Sequence, residues 1–368
     1  MTILGIESTC DETGVALVKN GKQILSNIVA SSVNLHKKYG GVVPEVAARE
    51  QVRVMVPVLK EAILKAKIST DRIDAIACAY GPGLTGSLLI GVETAKTLAV
   101  AWDKPLIPVN HLIGHIYANW LKGTTDYRLQ TKGQSTANSL RSTAVVSSQN
   151  AVDQQIDSRQ STVDFPAVAL IVSGGHTDLI LMTDHRKFRF LGGTRDDAAG
   201  EAFDKVARIL GLHYPGGPEI EKLARNYNFK QSKFNLPIPM ASGDNLDFSF
   251  SGIKTAVFNL SQKSSFTSLD KVEIAYKFQA AVCEVLVKKT QKAASKYKVR
   301  SIVVGGGVAA NSELKRRMSE VGQNHNIKVF FPEKEFAIDN GAMIAACAYY
   351  LPRKTAPLSL KADSSLHL

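Results

Sequence analysis

TILGIESTCDETGVALV, residues 2–18, alternates apolar and polar side chains, breaks at residues 11–14 and then resumes its apolar run. Period-two patterning on both sides of a polar break predicts two strands joined by a turn. The pattern returns at AVALIVSGGHTDLILMT, residues 167–183. Two strand pairs, each bent around a loop of Ser, Thr, Gly and an acid, predict an internally duplicated α/β fold. Helical periodicity fills the intervals, at VAAREQVRVMVPVLKEAILKAKI (46–68), GVETAKTLAVAW (91–102) and YKFQAAVCEVLVKKTQKAASKY (276–297). A further strand, SIVVGGGVAANSEL (301–314), runs into three glycines and a helix start marked by Asn311 and Ser312. Strand, glycine turn and helix N-terminus in that order suit a surface facing a nucleotide.

A chain of 368 residues, 45% hydrophobic and 21% charged, predicts one or two globular domains. Its four cysteines form no CxxC pair, which argues for a reducing compartment over a disulfide or zinc framework. The opening MTILGIESTC lacks a basic leader, and the apolar run LLIGVETAKTLAVAW is broken by Glu93 and Lys96. These features predict a cytoplasmic protein without a membrane span.

The formal charge is +12, and residues 254–334 carry 15 Lys and Arg against 6 Asp and Glu. That local excess has the form of a phosphate-backbone footprint, with solvated helix faces as the competing reading. Residues 123–164 break the α/β pattern: 21 of the 42 are Ser, Thr, Gln or Asn, and their charges cancel. They read as a polar, flexible insertion.

VNHLIGHIYANW (109–120) sets His111 and His115 four residues apart. On a helix capped by Asn110 both imidazoles share one face and can meet one atom, and the helix N-terminus favours neutral rings able to ligate. Two unrelated core histidines would look the same. A zinc protease needs HExxH, whose glutamate is the general base, and Leu112 stands there instead. Two histidines call for a third, anionic ligand. Asp339 in EFAIDNGAMIAA, a lone acid ahead of an apolar helix, is the candidate. Two imidazoles, one carboxylate and open positions suit iron(II) or zinc(II).

GIESTCDETGVALV, YGPGLTGSLLIGVETAK, HLIGHIYAN, LIVSGGHTDLI, DDAAGEAFDKVARILGLHYPGGPEIEKLA, FSFSGIKTAV, VVGGGVAANSEL and FAIDNGAMIA, in this order, resemble the bacterial TsaD-type tRNA adenosine threonylcarbamoyltransferases. The resemblance implies an actin/Hsp70/sugar-kinase-like (ASKHA) fold, two lobes of duplicated origin around a nucleotide cleft. The N-terminal lobe would span residues 1–122 and the C-terminal lobe 165–350, flanked by the 123–164 insertion and a tail over 351–368. The helix near residue 341 could complete the N-terminal lobe.

By the same resemblance His111, His115 and Asp339 would hold a divalent metal, iron(II) first and zinc(II) second. Ile171, Val172, Ser173, Gly174 and Gly175 would line an acyl-adenylate, with Asp204, Gly217 and Asn311 around its adenosine and ribose. The implied reaction passes the threonylcarbamoyl group of threonylcarbamoyl-AMP to N6 of adenosine 37 in tRNAs reading ANN codons, releasing AMP. Asp11, ahead of Glu12, is the candidate proton acceptor. Implied partners are the tRNA anticodon loop, a TsaB-like paralogue and a TsaE-like ATPase. The alternatives are an ATP-dependent phosphotransferase of the same superfamily, disfavoured because the second hairpin offers Ser173–Gly174–Gly175–His176 where those enzymes place an acid, and, further behind, a metalloprotease or a non-catalytic nucleotide-binding scaffold.

Overall fold

Strand β1 (Thr2–Glu7) pairs antiparallel with β2 (Glu12–Lys19), Ile3 opposite Val18 and Ile6 opposite Val15. Both strands are buried on both faces, so their runs are nearly continuous in apolar residues. Asn20 and Gly21 then take φ of 54° and 67°. Two consecutive positive φ values are the requirement of a type I′ hairpin turn, and the chain returns as β3 (Gln23–Ser31). The computed structural model describes residues 1–121, 127–130, 163–228, 232–240, 244–263, 265–351 and 356–367.

After α1 (Val33–His36) and α2 (Pro44–Ala66), β4 (Ala75–Gly81) joins β1 in parallel. Helix α3 (Thr85–Ala101) leads to β5 (Leu106–Asn110), parallel to β4, and straight into α4 (His111–Tyr117). Strand β6 (Tyr127–Gln130) adds to β3, so part of the polar 123–164 segment is a sheet edge; most of the remainder lies outside the described residues. Helix α3 begins six residues before the periodicity of 91–102 predicts. Its internal Gly91 is not a terminator: a Cβ there would come 2.2 Å from Ser8 Oγ, so glycine lets the helix lie against the first hairpin.

The second half repeats the plan with β7 (Ala167–Val172), β8 (Thr177–Asp184) and β9 (Lys187–Gly193) as an antiparallel meander. Helices α5 (Ala199–Ile209), α6 (Gly216–Ala224), α7 (Ser251–Lys263) and α8 (Ser268–Lys296) follow. Strand β10 (Ser301–Gly305), α9 (Ser312–His325) and β11 (Lys328–Phe330) close the parallel side, and α10 (Gly341–Tyr350) ends the series. The orders β5-β4-β1-β2-β3-β6 and β11-β10-β7-β8-β9 coincide apart from the added edge strand. The duplication expected from the two hairpins is therefore a property of both whole sheets.

Alternate residues of β7 face opposite cores. Val168, Leu170 and Val172 pack with Phe203 and Phe278 of the second half, whereas Ala169 and Ile171 join Ala77, Val109, Ile113 and Met343 in a cluster between the sheets. That middle cluster is built around α4 and α10. Helix α10, GAMIAACAYY, is apolar on every side, as a helix enclosed by other elements must be. Burying Met343 and Ile344 completely contributes about 3–6 kcal/mol in transfer free energy. Its first turn sits on the β1–β2 hairpin so closely that a Cβ on Gly5 would lie 2.2 Å from the Gly341 carbonyl oxygen.

Candidate functional site

Strand β5 ends on Asn110, whose side-chain oxygen accepts from the N–H groups of Leu112 and Ile113 at 2.9 and 3.3 Å. This cap starts α4 at His111 and places His111 and His115 on one face. Their rings meet edge to face with centroids 4.7 Å apart. Asn340 caps α10 through Met343 N–H, which fixes the loop that delivers Asp339. Asp339 Oδ1 lies 3.2 Å from His115 Nε2 and 3.8 Å from His111 Nε2. One ligand atom from each of the three residues falls within 4.8 Å of the others.

This set fits a cation. Both ring nitrogens of His115 are buried without a hydrogen-bond partner among the described residues, despite the nearby carboxylate. A buried polar atom in that state is costly unless a ligand satisfies it. Asp339 is held ionised, its pKa down to about 2, because the three surrounding imidazoles of His111, His115 and His176 outweigh burial.

Glu7 completes the centre. This fully buried carboxylate places Oε2 3.0 Å from His111 Nδ1 and accepts through Oε1 from Thr9 N–H at 2.7 Å. A carboxylate on the far nitrogen of a ligating histidine orients the ring and raises its basicity. Burial disfavours the His111 imidazolium, but Glu7 and Asp339 together push its pKa up to about 9. Held in this way, His111 must give up one ring proton before it can ligate. A cation bound there would displace that proton. Glu7 escaped the sequence reading because it looks like the polar end of an apolar strand.

The first turn opens on a second group of acids. Asp11 sits close enough to Asp204 and Tyr214 to raise both their pKa values, behind burial as the leading cause. Glu12 points inward, accepting from Ser31 Oγ at 3.0 Å, and burial with Asp11 and Asp339 nearby pushes its pKa well up. Asp204 accepts from Gly216 N–H at 2.7 Å, at the start of α6, and its pKa reaches about 6. The neighbouring Gly217 faces open space.

In the second hairpin, Ser173 N–H donates to the His176 carbonyl at 2.9 Å and Ser173 Oγ accepts from His176 N–H. The exposed Gly174 and Gly175 span the turn, and a Cβ on either would meet nothing within 4 Å. Ile171 and Val172 are buried strand residues with side chains in the two cores, so they can offer a ligand backbone only. Asn311 is also committed: its oxygen caps α9 through Leu314 N–H and its amide donates to Gln279. The basic 254–334 segment is partly neutralised, with Arg316 and Arg317 on Glu313, Lys288 on Glu284, Lys292 on Asp244 and Lys254 on Asp197. Lys298, Arg300 and Lys328 line a cavity of about 850 Å³ at the end of β10 away from His115.

A duplicated pair of sheets around a His–His–carboxylate set, with a bare glycine turn beside it, is the ASKHA fold. Solved structures share that fold: T. kodakarensis HypF has a TM-score of 0.57 at 13% identity, over 95% of this chain and 47% of that one. Component A of the Acidaminococcus fermentans (R)-2-hydroxyglutaryl-CoA dehydratase has a TM-score of 0.50 at 14% identity, over 96% and 98% of the two chains. The sequence profile of the family "TsaD: tRNA N6-adenosine threonylcarbamoyltransferase" matches residues 23–131 and 142–346. The chain is 46% identical to the tRNA N6-adenosine threonylcarbamoyltransferase of Moorella thermoacetica, covering all of this chain and 97% of that protein. It is equally identical to the Thermosipho africanus protein of the same name, covering 100% and 98%. The chain belongs to the TsaD family of tRNA N6-adenosine threonylcarbamoyltransferases.

Proposed function

We propose that this protein catalyses the reaction its family is named for, moving threonylcarbamoyl from threonylcarbamoyl-AMP to N6 of adenosine 37 in tRNAs reading ANN codons. A C–N bond forms from the exocyclic amine to the carbamoyl carbon as the bond to the phosphate oxygen breaks. AMP leaves with the electron pair, and the amine loses a proton. Adenine N6 is a weak nucleophile because its lone pair is shared with the ring, so positioning and charge stabilisation carry the catalysis.

The observation that carries this reading is the convergence of His111, His115 and Asp339, backed by Glu7, in a chain of this family. His111, His115 and Asp339 would hold a divalent ion, iron(II) before zinc(II), which would supply Lewis acidity for developing negative charge. The N–H groups of Gly174 and Gly175, in the turn that Ser173 closes, would receive the donor's phosphate, with the backbone of Ile171 and Val172 lining the approach. Asp204 as a carboxylate would accept from ribose hydroxyls, with Gly217 leaving room beside it and Asn311 offering its remaining amide hydrogen. Asp11, rather than the inward-facing Glu12, is assigned as proton acceptor. A TsaB-like paralogue, a TsaE-like ATPase and a cytoplasmic setting with its tRNA belong to the same reading.

The test supplies preformed threonylcarbamoyl-AMP and unmodified tRNA and quantifies the modified nucleoside by mass spectrometry. Wild-type enzyme is expected to transfer and His115→Ala to lose transfer while still binding nucleotide. Asp11→Ala with undiminished transfer would remove the base assignment. No product from metal-replete wild type in the presence of its partners would overturn the function.

A further inference from the structure

Next to the metal centre lies a cavity of about 640 Å³ that meets the glycine turn at Gly175 and is lined by neither Asp11, Asp204 nor Gly217. Leu112, the residue after His111, and His176 form its inner side. Leu112 follows His111 on α4 and His176 closes the Ser173 turn, so this side of the cavity adjoins both the metal helix and the glycine turn. Phe190 of β9, 51% exposed, stands on another wall.

Two carboxylates line the space, and they differ. Asp247 is engaged by Arg195, whose Nε and Nη2 donate to it at 2.9 and 2.6 Å. Asp178 has no such partner among the described residues. Room for it is built in, since a Cβ on Gly193 would come 2.4 Å from Asp178 Oδ1.

The remaining wall is the C-terminal segment from Ser364 to His367. It is tied down by Asp363 N–H donating to the Tyr80 carbonyl at 2.8 Å and by Ser365 bonding back to the Asp363 carboxylate. Gly81 accepts the segment because it has no side chain: a Cβ would collide with the Asp363 carbonyl oxygen.

An accessible aromatic face, a guanidinium and a carboxylate that no hydrogen bond occupies among the described residues are what proteins use to hold an unstacked base. The volume lies within the usual range for small-molecule sites. We propose that this cavity receives the acceptor adenosine turned out of the anticodon loop, with Phe190 stacking on the purine and Asp178 accepting a hydrogen bond from its N6 amine. The proposal rests on the transfer reading and adds the residues that select the base. Asp178 is a specificity residue here; the proton lost in the reaction goes to the acceptor in the neighbouring cleft.

The experiment uses full-length enzyme with its partners and an anticodon stem-loop RNA, and measures KM for RNA and for threonylcarbamoyl-AMP separately. Phe190→Ala is expected to raise the RNA KM about ten-fold or more, leaving donor KM, metal content and melting temperature unchanged. A chain ending at Asp363 is expected to act in the same direction. A stem-loop with inosine at position 37, whose O6 replaces the amine, is expected to inhibit wild type poorly. Asp178→Asn, which presents an amide donor, is expected to bind the inosine RNA as well as or better than the adenosine RNA. A rise in donor KM with RNA KM unchanged would assign the cavity to the donor's amino-acid end and overturn the proposal. Unaltered base discrimination in Asp178→Asn would overturn it too. Absence of transfer by wild type would instead strike the function itself.

Discussion

Glu7 and His111, 104 positions apart in the chain, meet with Oε2 3.0 Å from Nδ1 in a fully buried contact. The strand that opens the protein thus sets the orientation of an imidazole on α4, and Thr9 N–H holds the other carboxylate oxygen in place. Glu7→Gln preserves the volume but removes the charge. Metal affinity is expected to fall about 10–100-fold, the usual effect of losing such a partner. Titration of apo protein with iron(II) under anaerobic conditions, or with zinc(II), checks it; unchanged affinity would reduce Glu7 to a packing residue.

The contact between α10 and the first hairpin has no slack. A Cβ on Gly341 would sit 2.6 Å from both Ala16 N and Gly5 O, all backbone atoms. Gly341→Ala is expected to cost about 1–3 kcal/mol of stability through overpacking. It also shifts Asp339, two residues away. Denaturant unfolding and metal stoichiometry should therefore decline together.

Asp204 gives a pH signature. Burial, with Asp11 adding to it and the Gly216 N–H opposing, lifts its pKa from 3.8 to about 6. In the proposed site the ionised carboxylate accepts from two ribose hydroxyls, whereas the acid form turns one oxygen into a donor, so KM for the donor is expected to fall as pH rises from about 5 to 7. Stability runs the other way. A carboxyl raised in the folded state stabilises fully below its unfolded value and loses that contribution as pH climbs through about 6. Asp204→Asn is expected to flatten both profiles.

Cations with and without an ion-pair partner among the described residues predict different salt behaviour. Arg316 is engaged by Glu313 and Glu320, so Arg316→Ala is expected to leave the salt dependence of tRNA affinity unchanged. Lys298 and Arg300 line the basic cavity, and replacing both with Ala is expected to reduce the slope of log affinity against log salt by about 1–2. An unaltered slope in the double variant would place the phosphates on another face.

Much of the architecture was legible because it is written locally. Asn110 and Asn311 announce helix starts, and both cap as their position suggests. The alternation around residues 2–18 and 167–183 gave the two hairpins, and with them the duplication. Some signals were present and unread: Asn20–Gly21 marks the turn into β3, and Thr267 with Asp270 forms the capping box that starts α8 eight residues before its periodicity becomes clear. Other features have no local trace. Glu7 acquires its role only when β1 is laid beside β4, β5 and α4, and the base-facing wall at Ser364–His367 exists only once Asp363 docks on Tyr80. Asp339 lay between these cases, found as a lone acid ahead of an apolar helix but joined to the histidines only by folding.

Helix α10 is synthesised more than three hundred residues after the hairpin it covers. Until it emerges from the ribosome, the β1–β2 backbone has no lid on that side, and the two imidazoles have Glu7 behind His111 but lack the Asp339 carboxylate that faces both Nε2 atoms. A metal ion met by a half-made polypeptide would therefore find an incomplete ligand set, with Asp339 still absent. A premature stop anywhere before residue 339 yields a chain without the helix that covers the first hairpin and without the third residue of the His–His–Asp set.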